Sequence, residues 1–408
     1  MTEYRLTNGL EEEPVTAVLD VDSHEMAPLE LWGELFGEEI ARRVDEVGFE
    51  IHSRARANPL SVPGLVADTT PITQETVWRL KGASAPSAID LRRRPDVLDE
   101  MGITRQLVFP TFGLFALILV NDPDAHAWLG FDPGRVDGRQ LGRMAVAAHN
   151  DWAADITRST SDRVRPVGIV LTDTSVAEMV RQARSMVERG IRALMIPANV
   201  PPAGASPANP DLDPFWRFAA EADVPVTIHL GTDFGFLASS AWSKGVEVFH
   251  PSDKSTVELP IEPYRATTIH FCAENLISTM VLGGVFERHP TLRFGAIELA
   301  AGWVGPLAER LDCWAEGQFR SRLDGTLSMR PSEYLARNVR VTPFYFEPIA
   351  RYFERHRELS SVYCYSTDYP HVEGGKDSRA LQEAALAQAP SGAKEQFFVT
   401  NGELLLPA

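Results

Sequence analysis

The sequence predicts an α/β fold, a (β/α)8 TIM barrel, and three observations carry that expectation. Short apolar runs rich in β-branched and aromatic residues alternate with longer segments of helical period. The runs number eight, and several end in a carboxylate or an imidazole. Strand–helix alternation means a parallel sheet, because parallel neighbours need a crossover between them. Eight such strands suggest a closed barrel, and a barrel keeps its chemistry at the carboxyl ends of its strands.

The predicted strands are Thr16–Asp22, Arg105–Pro110, Val164–Val170, Ile191–Pro197, Val224–His229, Leu292–Glu298, Val339–Phe344 and Ser361–Ser366. Helices fill several gaps between them. Val176–Arg189 has apolar residues at helical spacing and stops at Gly190, a natural helix end. Asp213-Pro214 opens the next helix with a cap and a first-turn proline, and that helix runs to about Asp223. Two stretches exceed what a crossover needs: residues 25–102, a long insertion after the first strand, and residues 234–263, a second insertion after the fifth. Both leave the carboxyl ends of strands, so both are expected over the active face as lid or dimer-contact segments, or else as peripheral decoration. Ala55–Val62 and Pro71–Thr73 in the first read as irregular surface chain. Residues 1–408 are expected to form a single barrel domain.

Composition narrows the function. A hydrophobic content of 44% with 23% charged residues is ordinary for a soluble enzyme, and a net charge of −17 argues against a nucleic-acid partner, which needs clustered Lys and Arg. Cys272, Cys313 and Cys364 form no CxxC and cannot all pair, which argues against a disulfide framework or zinc knot and fits a reducing compartment. Met1–Arg5 and the acidic Glu11–Glu13 provide no secretory h-region, and no window approaches the ~18 apolar residues a membrane span needs. A cytoplasmic protein without a membrane or nucleic-acid partner is expected. No P-loop, dinucleotide fingerprint or nucleophile elbow is present in the sequence.

The polar strand ends carry the chemistry. In Leu19-Asp20-Val21-Asp22-Ser23-His24, Asp22 and His24 lie two positions apart and so face one side, inward on a first barrel strand. Alone, an Asp-x-His pair is common, and a strand-end His is often satisfied by a carbonyl. His229 closes Pro225-Val226-Thr227-Ile228, and Asp368 follows the eighth strand, which closes against the first. Asp22, His24, His229 and Asp368 therefore converge from strands one, five and eight, as a metal site would require. His270, near a predicted helix start, could reach the mouth as a catalytic proton-transfer or substrate residue. His371, Trp303 and Arg265 are candidate substrate contacts. His52, His126, His149, His250, His289 and His356 read as surface or packing residues.

These segments resemble the amidohydrolase-2 branch of the amidohydrolase superfamily, which includes aminocarboxymuconate-semialdehyde decarboxylase and γ-resorcylate decarboxylase. The resemblance runs from Ala17 to about Leu405, apart from the first insertion. It rests on L-D-V-D-S-H at Leu19–His24, G-I-T-R-Q-L-V-F-P at Gly102–Pro110 and P-V-T-I-H-L-G at Pro225–Gly231. It rests also on G-G-V-F-E-R-H-P-T-L-R-F at Gly283–Phe294, A-G-W-V-G-P-L-A-E-R-L-D at Ala301–Asp312 and S-T-D-Y-P-H at Ser366–His371. It implies one divalent metal ion at the barrel mouth, held by Asp22, His24, His229 and Asp368, with Asp368 also moving protons. It further implies a small-molecule substrate and a homodimer. Two imidazoles with two carboxylates suit Zn²⁺ or Mn²⁺.

Two positions depart from the family pattern. Many members carry His or Glu where this chain has Asp22, and the decarboxylases carry a His where it has Glu298. Glu298 could act as general acid/base or as a further ligand. The expected activity is non-oxidative decarboxylation of a small aromatic or unsaturated carboxylic acid. The alternatives are metal-dependent hydrolysis of an amide, ester, lactone or C–C bond, which Glu298 favours, and a catalytically silent barrel, which four converging polar strand ends oppose.

Overall fold

Parallel strands follow one another around the barrel in chain order. The computed structural model describes residues 16–43, 45–46, 65, 67–122, 134, 137–233, 236, 242–249 and 263–408. Its strands are β1 (Val18–Asp20), β2 (Ile103–Val108), β3 (Val164–Pro166), β4 (Gly168–Ile169), β5 (Leu194–Met195), β6 (Val226–His229), β7 (Phe294–Ile297) and β8 (Val339–Val341). They pair in parallel as β1-β2-β3 and as β4-β5-β6-β7-β8. The fold is the expected α/β TIM barrel, with two differences in how its strands are made.

The predicted third strand is broken into β3 and β4, and Pro166 breaks it. The N–H groups of Gly168 and Val170 donate to Ala193 and Met195 on the β5 side. Pro166 has the same parity but no N–H to give, so pairing on that side starts only at Gly168. The helix Gly138–Ser159 stitches this region from outside. His149 Nε2 lies 3.1 Å from the Val167 carbonyl, while the Asn150 amide donates to the carbonyl of Ile169 and accepts its N–H, at 2.9 and 2.8 Å.

The predicted eighth strand holds its place without a continuous ladder. Val341 N–H donates to Val362 at 2.8 Å and Cys364 N–H to Val341 at 3.0 Å, while Val21 N–H on the other flank donates to Tyr365 at 3.2 Å. Other donors of this segment are diverted. Tyr365 N–H goes to the carbonyl of Phe397 at 2.9 Å, and Thr367 N–H goes to the Asp20 carboxylate, also at 2.9 Å.

The helix Val176–Glu188 forms as expected, with Ser175 Oγ accepting from Glu178 N–H and Ile191 N–H closing the end past Gly190, whose φ is 105°. At Asp213 the expectation is corrected. Asp213 is the first helical residue of Asp213–Glu221, and its carboxylate pairs with Arg288 and His289 at 2.9 and 3.2 Å rather than capping the helix. The described part of 25–102 is no decoration: Ala88, Leu91, Arg94, Val97 and Leu98 are all buried in the core. Pro71–Thr73 is irregular, as expected, and Thr73 then caps a helix at Gln74–Arg79. Ala55–Val62, His52, His126, His250 and most of 234–263 lie outside the described residues. Among the described residues, no helix is long and apolar enough to cross a membrane.

Candidate metal centre

Strand alternation turns Asp20, Asp22 and His24 to the same side as β1 leaves the sheet, and all three are buried. His229 ends β6, Glu298 follows β7, and Asp368 follows the eighth barrel position. His24 Nε2 lies 3.6 Å from Asp22 Oδ1, 3.5 Å from Asp368 Oδ1 and 3.9 Å from Glu298 Oε2. His229 Nε2 lies 3.3 Å from Asp22 Oδ1 and 3.4 Å from Glu298 Oε2. Ligand atoms of Asp22, His24, His229 and Glu298 come within 4.8 Å of one another, as do those of His24, Glu298, Asp368 and His371.

Unusual backbone aims two of these carboxylates. Glu298 and Asp368 have φ of 55° and 50°, a region costly for side chains with a Cβ and held only where neighbours enforce it. Glu298 N–H donates to Thr342 Oγ1 at 2.8 Å, and Asp368 N–H donates to the Asp22 carbonyl at 2.9 Å. Gly374 lets the following chain press against the Thr367 carbonyl, where a Cβ would collide.

The donor set fits a divalent cation. His229 Nδ1 lies 2.8 Å from the Leu230 carbonyl and donates to it, so Nε2 carries the lone pair. Burial pushes the His229 pKa down to about 4, leaving a neutral ring at neutral pH with that lone pair facing two carboxylate oxygens. Burial also holds His24 well below its ordinary value, with the nearby His371 adding to the effect. Asp22 is pushed well above the usual carboxylate range, by burial first and then by the Asp368 charge. Asp22 Oδ2, His24 Nε2 and Asp368 Oδ2 have no hydrogen-bond partner although buried. Lone pairs facing carboxylates and orphaned buried ligand atoms are costly by themselves, and a cation among them removes both costs. Imidazole nitrogens with carboxylate oxygens match Zn²⁺ or Mn²⁺.

The structure thus brings together Asp22, His24, His229, Glu298, Asp368 and His371. His371 stacks on His24 with ring centroids 3.7 Å apart, and its Nδ1 lies 3.0 Å from Asp368 Oδ1. Three further candidates each have a protein partner. Trp303 Nε1 donates to the carbonyls of Leu299 and Ala300 at 3.0 and 2.8 Å, so its polar atom braces the turn after Glu298. Arg265 donates to Asp233 at 3.1 Å, and His270 Nε2 lies 3.2 Å from Glu274. His149 and His289 are buried packing residues, and His356 faces Glu309 and Glu358 near the surface.

Sequence reasoning missed Asp20, Arg94, Gln106, Thr111 and Thr367. Asp20 shared the parity of Asp22 and His24 and could have been found that way. Thr111 Oγ1 sits 3.5 Å from His24 Nδ1 and 3.4 Å from His371 Nε2, tying both rings to the loop after β2. Beside the donors runs a narrow cleft walled by Thr342, Pro343, Phe344, Tyr345, Glu373 and Gly374.

A family model described as Amidohydrolase matches residues 120–407, well over half the chain and including His229, Glu298, Asp368 and His371. Among solved structures, an amidohydrolase from Mycobacterium avium subsp. paratuberculosis K-10 is similar, at 19% identity and a TM-score of 0.65, over 96% of this chain and 99% of that one. The apo form of IDCase from Metarhizium anisopliae is 14% identical, with a TM-score of 0.60, over 96% of this chain and 97% of that one. A 5-carboxyvanillate decarboxylase from Novosphingobium aromaticivorans DSM 12444, complexed with manganese and 4-hydroxy-3-methoxy-5-nitrobenzoic acid, is 18% identical, with a TM-score of 0.58 and 96% of each chain covered. No curated protein is similar enough in sequence to match it.

Proposed function

The chain belongs to the amidohydrolase family, a family of metal-dependent enzymes, and from that premise we propose that it is a non-oxidative decarboxylase of a small aromatic or unsaturated carboxylic acid. The observation that carries the reading is the buried donor cluster, with the neutral His229 lone pair turned on two carboxylates. Likeness in fold to a manganese-containing 5-carboxyvanillate decarboxylase supports it. So does an aromatic cleft wall, Phe344 and Tyr345, beside the donors.

Asp22, His24, His229 and Asp368 would hold the ion, with Glu298 completing the set. A bound Zn²⁺ or Mn²⁺ supplies positive charge that steadies the negative charge developing in C–C cleavage, or lowers the pKa of a bound water from ~15.7 toward ~7. Loss of CO₂ from a carboxylate leaves an electron pair on carbon, and one proton must be delivered there. Asp368, in contact with His371 at 3.0 Å, is placed to carry it. Burial of the donors excludes bulk water.

Glu298 favours a second reading, metal-dependent hydrolysis, because a carboxylate at this position can take a proton from an attacking water. Incubation of metal-loaded enzyme with hydroxybenzoic and unsaturated carboxylic acids, with CO₂ measured, separates the two. CO₂ release sustains the decarboxylase. Turnover of esters, lactones or amides without CO₂ from any acid assigns the hydrolase instead. A cytoplasmic homodimer accompanies the proposal, and sedimentation of purified protein tests the dimer.

A further inference from the structure

Below the donor set lies a buried polar network whose hub is Arg94. This residue opens the helix Arg94–Met101 in the long β1–β2 connection and has no exposed surface. Its Nη2 donates to the carbonyls of His24 and Ser87 at 2.8 and 2.7 Å, and its Nη1 donates to Gln106 Oε1 at 2.9 Å. The guanidinium also sits 4.9 Å from the centre of the Tyr369 ring. Gln106 on β2 passes the connection on, its Nε2 donating to Asp20 Oδ2 at 2.6 Å. Asp20 in turn accepts the N–H and the hydroxyl of Thr367, and that hydroxyl accepts Tyr369 N–H at 3.1 Å.

The direction of each link is fixed by chemistry. Arginine can only donate, so Gln106 must turn its oxygen to Arg94 and its amide nitrogen to Asp20. Asp20 then receives donors from Gln106 and Thr367 together. The chain of hydrogen bonds joins the second, first and eighth barrel positions at one depth. Its ends are the main chain of His24 and the residue before Asp368. A network that only sealed the barrel floor could grip any part of these strands, whereas this one grips the segments that carry three ligand atoms.

We infer that Arg94, acting through Gln106, Asp20 and Thr367, is the positioning residue of the metal centre, setting the His24 main chain and the Thr367–Asp368 arm so that the atoms of Asp22, His24 and Asp368 converge. The inference rests on the cluster being a metal centre. Groups that orient ligands from behind typically change metal affinity 10–100-fold when removed.

Arg94→Met would strand the carbonyls of His24 and Ser87 and invites misfolding, so the test cuts single links instead. Thr367→Val keeps the side-chain shape and loses the hydroxyl; Gln106→Leu cuts the bridge from Arg94 to Asp20. Leu311→Ala, a buried change on the outer helix Val304–Glu316, controls for plain destabilisation. Mn²⁺ binding to metal-free protein is measured by titration calorimetry at a temperature where circular dichroism matches wild type. Both link variants are expected to bind at least about tenfold more weakly, with Leu311→Ala binding as wild type. Wild-type affinity in both folded link variants would overturn the positioning role while leaving the metal centre standing. A wild-type protein that takes up neither Mn²⁺ nor Zn²⁺ would overturn the metal reading and this inference together.

Discussion

Replacing His149 with Gln should flatten part of the acid sensitivity of the fold. His149 is wholly buried on the helix Gly138–Ser159, and burial pushes its pKa down to about 4. Its Nε2 lies 3.1 Å from the Val167 carbonyl, beside the Pro166 break. An unfolded His takes its proton near ~6.5, so between those values the unfolded chain binds more protons and stability falls as pH drops. At ~1.36 kcal/mol per pKa unit the full loss is about 3 kcal/mol by pH 4, with about 2 kcal/mol of it between pH 7 and pH 5. Raised carboxylates act in the opposite sense: Asp20, pushed up to about 7 by burial, gains stability as pH falls. That contribution is common to wild type and variant, so the difference between them isolates His149. Gln can keep a donor near Val167 but cannot titrate. Urea unfolding of both metal-free proteins at pH 7 and pH 5 measures the difference. The stability of wild type relative to His149→Gln should fall by about 2 kcal/mol over that interval. A difference that changes by less than about 0.5 kcal/mol would refute the buried neutral imidazole.

Further outcomes follow from the site. Asp368→Asn should lower turnover by at least about a hundredfold with unchanged circular dichroism, since its neighbours Asp22 and His371 hold it in place; steady-state kinetics check this. Glu298→Gln should lower kcat by about 10²–10⁴-fold if Glu298 moves protons, and an effect on metal content alone would make it a ligand. Trp303→Phe removes the N–H that braces Leu299 and Ala300, so it should cost about 1 kcal/mol of stability and reduce kcat with little change in KM. Chelation should lower the thermal midpoint, and Mn²⁺ or Zn²⁺ at a hundredfold excess over its Kd should restore about 2.7 kcal/mol.

The convergence of these side chains was legible in the sequence in part because period-two alternation fixes which side of a strand a residue faces. That rule put Asp22 and His24 on one side, the ends of apolar runs added His229 and Asp368, and the family resemblance singled out the four together. The eighth strand was legible as a run, but its pairing was not, since Tyr365 and Thr367 give their N–H groups to Phe397 and Asp20, which no local pattern reveals. Arg94 was hidden for a related reason. It ends a run of three arginines of one residue type but three fates: Arg92 is exposed, Arg93 pairs with Asp68, and Arg94 alone enters the core. The indole N–H of Trp303 donates to carbonyls of the turn it belongs to, a contact that no residue pattern reveals. The left-handed backbone at Glu298 has no signature in residue type, and Asp368 carries only the weak one that Asp shares with Asn.

A metal ion at the ends of the first, fifth and eighth barrel positions can be counted by elemental analysis with mass spectrometry. Wild type and His229→Ala are purified side by side. About one Zn²⁺ or Mn²⁺ per chain is expected in wild type, in line with a single such site, and is expected to be lost in the variant. No metal in wild type even after supplementation, or equal metal in both proteins, would contradict it.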